Sequence, residues 1–255
     1  MEQQSKSDPS FTFAFQPIVD AISREVFSYE ALIRGPGNEP AYQILEQVQA
    51  DRLNAFAQRA RSEAICLATR LGIGCHLNLN LLPHSLYSSE ESVGATLETA
   101  NRMHLPIDRI ILEVTEGEVI LDQPRFAELI NEYRGLGVKV AIDDFGAGYS
   151  GLNLLSNFQP DLIKLDMTLM RGIERHGPRQ AIVRAIGQVC LELGIDVIAE
   201  GVETEEEYGW LSNAGVRLFQ GYLFAKPAFE AFPQIHYPQD NGIARLTRHH
   251  MMEKE

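Results

Sequence analysis

The chain repeats one pattern many times: a short apolar run, then a longer segment whose apolar residues recur at helical spacing. The runs are rich in Val, Ile, Leu and Phe and predict β-strands, and the segments between them predict amphipathic helices. Eight strands are predicted, at 11–20, 25–35, 75–80, 109–116, 139–146, 161–167, 196–203 and, as a strand and loop, 216–227. Helices are predicted at 41–71 with a break near Asp51, and at 93–104, 124–137, 149–158, 178–194 and 204–215.

This order of elements predicts the fold class. Only the short link AISR separates the first two runs, which favours a hairpin-like start, whereas helices join nearly all the later strands. Strands that alternate with helices form parallel sheets, and eight such units indicate an α/β protein with a (β/α)₈ barrel in one domain. We expect a disordered N-terminal tail at 1–10, the barrel at 11–240 and a C-terminal tail at 241–255.

Composition narrows the functional classes. The chain has 255 residues, of which 45% are hydrophobic and 22% charged, so it can bury the core of one barrel. Its formal net charge of −13 argues against binding to a nucleic acid polymer, which needs clustered Lys and Arg. An anionic small ligand remains compatible with this charge if cations lie locally in the site.

Cysteine usage and hydropathy point to the cytoplasm. The three cysteines are scattered and form no C-x-x-C motif, so neither a disulfide framework nor a zinc knuckle is expected. The chain has no apolar run near the ~18 residues that a membrane span needs. The polar N-terminus has no signal-peptide core. We therefore expect a cytoplasmic protein without a membrane partner.

Polar side chains follow the predicted strands at the point where each strand ends. In a barrel, the loops at these ends form the active site, so the side chains should converge. They are Glu30, Asn78, Glu113, Glu116, Asp143, Asp144, Lys164, Asp166, Glu200, Glu203 and Gln220. One such acid alone would be an ordinary turn or helix cap. Converged carboxylates repel each other, and oxygen ligands of this kind suit Mg²⁺ or Mn²⁺, so the set predicts a metal site.

The segment KVAIDDFGAGYSGL, residues 139–152, raises a question about its two adjacent aspartates. In a regular strand they would point to opposite faces, and both reach one site only if the backbone turns between them. A capping turn, a metal site and an acid/base pair are all compatible with this stretch. Two carboxylates on either side of a bend can bind two metal ions ~3.5–4 Å apart. Such two-metal sites are common in enzymes that cleave bonds to phosphorus. Glycoside hydrolysis is a rival, but it needs only two acids.

These motifs together resemble the EAL-domain family of cyclic di-GMP phosphodiesterases. The resemblance extends from Phe13 to Pro227 through FQPIVD, EALIR, LNLN, LEVTE, IDDFGAGYSGL, LIKLD, VIAEGVE and QGYLFAKP. It implies a TIM-like barrel whose first strand is antiparallel. It also implies metal-dependent hydrolysis of cyclic di-GMP to linear pGpG, with two Mg²⁺ or Mn²⁺ ions and a water between them as nucleophile.

The resemblance further implies roles for individual residues. The first metal would be held by Glu30, Asn78, Glu113 and Asp143, and the second by Asp143, Asp144 and Glu200. Lys164 would hydrogen-bond the attacking water, Glu200 would be a metal ligand or the general base, and Glu116 would brace the DDFGAGYSGL loop. The substrate would be bound by Gln16, Leu32, Arg34, Gln220 and Pro227.

Other implications concern partners and rivals. The family's usual Trp after the Arg of EALLR is Gly35 here, which bears on affinity rather than on chemistry. A homodimer is expected through the region around the DDFG loop. The first rival is a catalytically silent cyclic di-GMP receptor or interaction module, and the second is a metal hydrolase acting on another phosphodiester.

Overall fold

The computed structural model describes residues 8–81, 91–115, 123–147, 155–156 and 159–238. The strands of these ranges are β1 Thr12–Asp20, β2 Glu25–Arg34, β3 His76–Asn80, β4 Ile110–Thr115, β5 Lys139–Phe145, β6 Leu162–Leu165, β7 Asp196–Ala199, β8 Leu218–Phe219 and β9 Ala228–Phe229. The helices are α1 Ala41–Leu45, α2 Leu53–Arg70, α3 Glu91–Arg102, α4 Gln123–Gly135, α5 Met167–Met170, α6 Gly177–Leu193 and α7 Glu205–Asn213. Short 3₁₀ turns lie at Ala50–Arg52, Ile107–Arg109 and Ile173–Arg175.

Strands β1 to β8 form a closed ring. Neighbours from β2 to β8 are parallel, and β1 closes the ring by pairing antiparallel with both β2 and β8. Strand β9 adds to β1 at Ala14 and Phe15. The fold is therefore a TIM-type (β/α)₈ barrel with an antiparallel first strand, and the prediction from the sequence is confirmed.

The interior of the ring is apolar at one level. A separate hydrophobic cluster contains one residue from each of six strands: Ile18, Ile111, Ala141, Leu162, Ile198 and Leu218. The larger hydrophobic cluster includes buried residues of the outer helices, such as Phe56 and Cys190. The inner cluster fills the barrel as a layer of side chains, so any site must lie above it at an end of the ring.

The boundaries depart from the predictions in a few places. The break near Asp51 is a 3₁₀ turn between α1 and α2. Strand β6 stops at Leu165 because Asp166 caps the short helix α5, accepting from the backbone N–H of Thr168 at 2.9 Å. Helix α5 and strand β9 were not predicted. The predicted helix at 149–158, except residues 155–156, and the tails at 1–7 and 241–255 lie outside the described residues.

The described part begins with contacts to the barrel. Asp8 forms ion pairs with Arg52 at 3.1 Å and with Arg59 at 3.4 Å, so the folded contacts begin before β1. Within the described ranges, every helix is too short or too polar to cross a bilayer.

Candidate active site

A polar layer lies directly above the apolar layer inside the ring. Side chains two residues apart on a strand face the same side, so each inner apolar residue of the parallel strands predicts an inward neighbour two positions later. Those neighbours are Glu113, Asp143, Lys164, Glu200 and Gln220. Strand β1 runs the other way, and its inward polar residue, Gln16, comes two positions before Ile18. The strand register thus brings the predicted residues to one end of the barrel.

Lys164 is the centre of this layer. Its side chain is only 1% exposed, and its Nζ lies within ion-pair distance of four carboxylates. The distances are 2.8 Å to Glu200 Oε1, 2.9 Å to Glu113 Oε1, 3.0 Å to Asp143 Oδ1 and 3.3 Å to Glu30 Oε2. Four carboxylates face one ammonium, so the layer carries an excess of negative charge.

Two amide side chains hold carboxylates of the layer in place, and a third amide contacts one of these two. Asn78 Nδ2 donates to Glu113 Oε1 at 2.7 Å, and Gln220 Nε2 donates to Glu30 Oε2 at 2.6 Å. Gln16 lies beside them, with its Oε1 3.4 Å from Gln220 Nε2. Strands from opposite ends of the chain therefore meet at the same carboxylate.

The backbone turns between the two aspartates, as the sequence predicted. Asp144 has a φ of 55°, in the left-handed region that few non-glycine residues adopt, and the pairing of β5 with β6 is irregular between Ile142 and Phe145. Asp143 consequently faces the buried layer while Asp144 is exposed beside it. A single bend thus brings the two carboxylates to the same acidic group, where their oxygens and one of Glu200 lie within 4.8 Å of one another.

Burial and mutual repulsion shift the acidic pKa values upward. Burial raises the pKa of Glu113 well above its ordinary value, and the charges of Glu30 and Asp143 add to this against the pull of Lys164. Burial, with the charges of Asp143 and Glu30, raises the pKa of Glu200 to about 8. Burial opposes the charge of Lys164, but its carboxylate neighbours outweigh burial and raise its pKa. The cluster therefore favours additional positive charge.

The residues fit a pair of divalent cations. Two groups of carboxylates offer oxygens that lie within 4.8 Å of one another: Glu30, Glu113 and Asp143 in one, and Asp143, Asp144 and Glu200 in the other. Among the described residues, the buried Asn78 Oδ1 and Glu113 Oε2 accept no hydrogen bond, so both remain available as ligands. Asp143 belongs to both groups, as a residue between two ions would.

A cavity of about 260 Å³ opens above the cluster. Its inner lining includes Glu30, Asp144, Glu200 and Gln220, and its outer lining includes Met167, Arg171, Glu203 and Tyr222. Arg171 Nη2 donates to Glu203 Oε1 at 2.8 Å, which forms a charged wall. Arg171 was missed by the sequence analysis. Its position in the sequence could have indicated this role, because Arg171 lies in the segment that follows Asp166 at the end of β6.

Other predicted substrate residues lie apart from this cavity. Arg34 is half-buried, and its Nη1 donates to the carbonyl of Ile33 at 2.7 Å. Leu32 lines a separate, mostly apolar cavity of about 290 Å³ beside α1 and α2. Pro227 is half-buried in the segment before β9. The structure thus brings Gln16 and Gln220 to the acidic cluster but not these three, and Glu116 lies outside the described residues.

Comparison with known proteins gives a consistent set of matches. A family model described as "EAL domain" matches residues 2–227. The blue light- and temperature-regulated antirepressor BluF of Escherichia coli K12 is 40% identical over 228 residues, covering 89% of this chain and 57% of BluF. Other relatives, from Escherichia coli and Pseudomonas aeruginosa, are named cyclic di-GMP phosphodiesterases. The chain spans between 19% and 57% of the length of the curated relatives it matches first.

Two solved structures are similar over most of the chain. A standalone versatile EAL protein from Vibrio cholerae O395, solved in its c-di-GMP-bound form, superposes with a TM-score of 0.87 at 44% identity, covering 91% of this chain and 98% of that one. The Klebsiella pneumoniae BlrP1 complex with manganese and cyclic di-GMP at pH 6 superposes with a TM-score of 0.85 at 42% identity. The match covers 92% of this chain and 60% of the BlrP1 chain.

Proposed function

The chain belongs to the EAL-domain family, and we propose that it hydrolyses one phosphodiester bond of cyclic di-GMP to give linear pGpG. The observation that carries this proposal is the buried cluster of Glu30, Glu113, Asp143 and Glu200 around Lys164, open to a cavity on one side. Relatives named cyclic di-GMP phosphodiesterases support the reaction class.

Two metal ions are part of the proposal. We assign Glu30, Asn78, Glu113 and Asp143 to the first ion and Asp143, Asp144 and Glu200 to the second, with Mg²⁺ or Mn²⁺ as the metal. When bound, these ions would lower the pKa of a water and offset negative charge on the phosphoryl oxygens. The complex of BlrP1 with manganese and cyclic di-GMP supports a divalent metal in the proposal.

The remaining residues have proposed roles in orientation and proton transfer. Lys164 donates a hydrogen bond to the attacking water and offsets charge that develops on phosphorus oxygens. Glu200 binds the second ion or accepts the proton of that water. Gln16 and Gln220 contact the nucleotide at the cluster, Leu32, Arg34 and Pro227 contact parts of it that extend beyond the cavity, and Glu116 braces the loop after β5.

A second candidate is a cyclic di-GMP receptor that does not hydrolyse its ligand. The identity to BluF, which is named an antirepressor, favours this reading. The complete set of acids, the amide Asn78 and Lys164 favour the enzyme, because a receptor needs no such cluster.

Incubation of the purified protein with cyclic di-GMP and Mg²⁺ or Mn²⁺, followed by chromatography of the nucleotides, tests the proposal. We expect pGpG with either metal, and none from Glu30→Ala or Asp143→Ala because each loses a metal ligand. Glu25→Ala, at the exposed start of β2, is the matched control and should retain activity. Tight binding without pGpG would support the receptor, whereas hydrolysis of other diesters alone would indicate a different substrate.

A further inference from the structure

Glu207 is a buried carboxylate outside the acidic cluster. It is the third residue of α7, is 2% exposed and accepts three backbone hydrogen bonds. Its Oε2 accepts from the N–H groups of Glu203 at 3.0 Å and Thr204 at 3.2 Å. Its Oε1 accepts from the N–H of Gly172 at 2.9 Å. Burial opposes its charge, but these three bonds outweigh burial and hold its pKa below the ordinary value.

Only part of this arrangement serves the helix. Thr204 Oγ1 accepts from the N–H of Glu207 at 3.2 Å, and Glu207 accepts in return from the N–H of Thr204, which completes a capping box. The bond to Gly172 is not needed for a cap. It crosses from the segment after β7 to the segment after β6.

The two joined segments carry the outer wall of the cavity. Arg171 precedes Gly172, and Glu203 precedes Thr204, so each wall residue is adjacent to a backbone N–H group that Glu207 holds. Gly172 has a φ of 65°, a conformation that favours glycine and aims its N–H at Glu207. The ion pair between Arg171 and Glu203 therefore depends on the positions that Glu207 fixes.

The inner cluster is held in a different way. Lys164 lies within β6, and the backbone N–H of Glu200 donates to the carbonyl of Leu165 at 3.2 Å, so the strand ladder positions both. A change at Glu207 should consequently move the outer wall while the inner carboxylates stay in place.

We propose that Glu207 is a positioning residue that fixes the wall of Arg171 and Glu203 relative to the acidic cluster and so sets the affinity for the nucleotide. The inference rests on the proposed function, because the wall lines the same cavity as the acidic cluster. Glu207 itself does not contact the substrate and is not a catalytic residue.

Glu207→Gln and Thr204→Ala form a matched pair of tests. A Gln side chain has one acceptor oxygen, whereas the carboxylate of Glu207 has two. The oxygen can still accept from the N–H of Thr204, but the N–H₂ group then faces the N–H of Gly172 and the bond between the two segments is lost. We expect the KM for cyclic di-GMP to rise about tenfold in Glu207→Gln, with kcat within about twofold of the wild type. Thr204→Ala loses the cap and keeps the cross-loop bond, so it should lower the unfolding temperature and leave KM unchanged.

Hydrogen exchange at the amide of Gly172 gives a readout that needs neither substrate nor metal. We expect faster exchange in Glu207→Gln and wild-type exchange in Thr204→Ala. Two results for Glu207→Gln would overturn the inference. One is faster exchange at Gly172 with an unchanged KM, and the other is an unchanged rate of exchange at Gly172. Absence of hydrolysis in the wild type would instead overturn the proposed function, and nucleotide affinity measured by calorimetry would then replace KM.

Discussion

Lys164 is the residue on which the charge balance of the site depends. Removing one partner of a buried ion pair leaves the other charge without compensation, which costs more than the pair contributes to stability. Here four partners would be left at once, at 2.8–3.3 Å from the vacated position. The same lysine that is proposed to assist hydrolysis therefore also holds the metal-free site together.

Replacement of Lys164 by Met should destabilise the protein when a chelator is present. We expect the free energy of unfolding to fall by about 3 kcal/mol or more, because Glu113 and its neighbours lose their cation. Added Mn²⁺ should then stabilise the variant more than the wild type, since it supplies the missing charge. Urea unfolding in EDTA and in Mn²⁺ measures both effects.

Lys139→Met is the control for this experiment, because Lys139 lies at the half-buried start of β5. The double variant Lys164→Met with Glu113→Gln should recover part of the loss. Equal stability of Lys164→Met and the wild type in EDTA would show that the lysine does not hold the cluster.

The identity of the acidic residues could be predicted from the sequence, and their contacts could not. The strand-end positions of Glu113, Asp143 and Glu200 follow from the two-residue period of each strand. The sequence does not show that one lysine contacts four carboxylates, because that depends on the tilt and register of the closed ring. Arg171 was missed for a related reason: its place in the wall depends on α5, a four-residue helix too short for periodicity to reveal.

At the scale of elements, the close approach of two loops decides the shape of the cavity. Gly221 follows Gln220 and is buried against the backbone of Val202, whose N–H donates to the carbonyl of Gln220 at 3.1 Å. A Cβ at Gly221 would collide with the backbone N and O of Val202. The loops after β7 and β8 can approach this closely only with a glycine here.

Gly221→Ala should therefore force these two loops apart. We expect a loss of about 2 kcal/mol in stability, because backbone atoms cannot move aside as a flexible side chain can. Turnover of cyclic di-GMP should also fall, since Gln220 would shift from Glu30. Gly94→Ala in α3 is the control, because a Cβ there meets no atom within 4 Å. Unchanged unfolding of Gly221→Ala would contradict the predicted collision.

The seam between β1 and β8 is short and carries an ion pair. The register pairs Val19 with Phe219 and Asp20 with Leu218, and the N–H of Ala21 donates to the carbonyl of Arg217 at 3.0 Å. Asp20 is 5% exposed and accepts from Arg217 Nε at 2.7 Å and from the N–H groups of Ile22 and Ser23. Burial opposes its charge, but the bond to Arg217 and the two backbone bonds outweigh burial and lower the pKa of Asp20.

Asp20→Asn should weaken this seam in a manner that depends on pH. A carboxyl whose pKa is lowered by folding stabilises the protein above its ordinary value of 3.8 and loses that effect as pH falls through its folded value. We expect a difference of about 1 kcal/mol between wild type and variant at neutral pH, modest because Arg217 is 57% exposed. The difference should shrink below pH 3.8 in urea titrations, and a difference that grows on acidification would refute this account.

Most elements could be predicted from hydropathy, and the exceptions share a cause. The hairpin of β1 and β2 and the long helices have enough residues to show a period. Strand β9 has two residues, and its pairing with Ala14 and Phe15 depends on the folded barrel rather than on a local pattern. The bend at Asp144 was predicted from the need to bring both aspartates to one site, not from a local propensity.

At the scale of the whole molecule, we propose that two copies associate through the region around the DDFG loop and that this contact affects turnover. Gly146 has a φ of 96°, and a Cβ there would lie 2.5 Å from Cδ1 of Leu169 on α5, which is closer than van der Waals contact. Gly146→Ala should therefore disturb the start of the loop and lower both dimerisation and turnover. Gly187→Ala, in open space on α6, is the control.

Light scattering during size exclusion, combined with turnover on the same samples, measures both quantities. If Gly146→Ala weakens the dimer but keeps the turnover of the wild type, the proposed effect of dimerisation on turnover is refuted. A monomeric wild type with full activity would remove the dimer from the mechanism.

The pairing of Val19 with Phe219 has a consequence for synthesis on the ribosome. The hairpin of β1 and β2 emerges before β8, so one edge of β1 has no ring partner until β8 has left the exit tunnel. An open strand edge is a template for pairing with other chains, so the nascent protein must keep that edge covered until β8 is available. Because Gln220 also donates to Glu30, the polar layer inside the ring can be completed only after β8 has been synthesised.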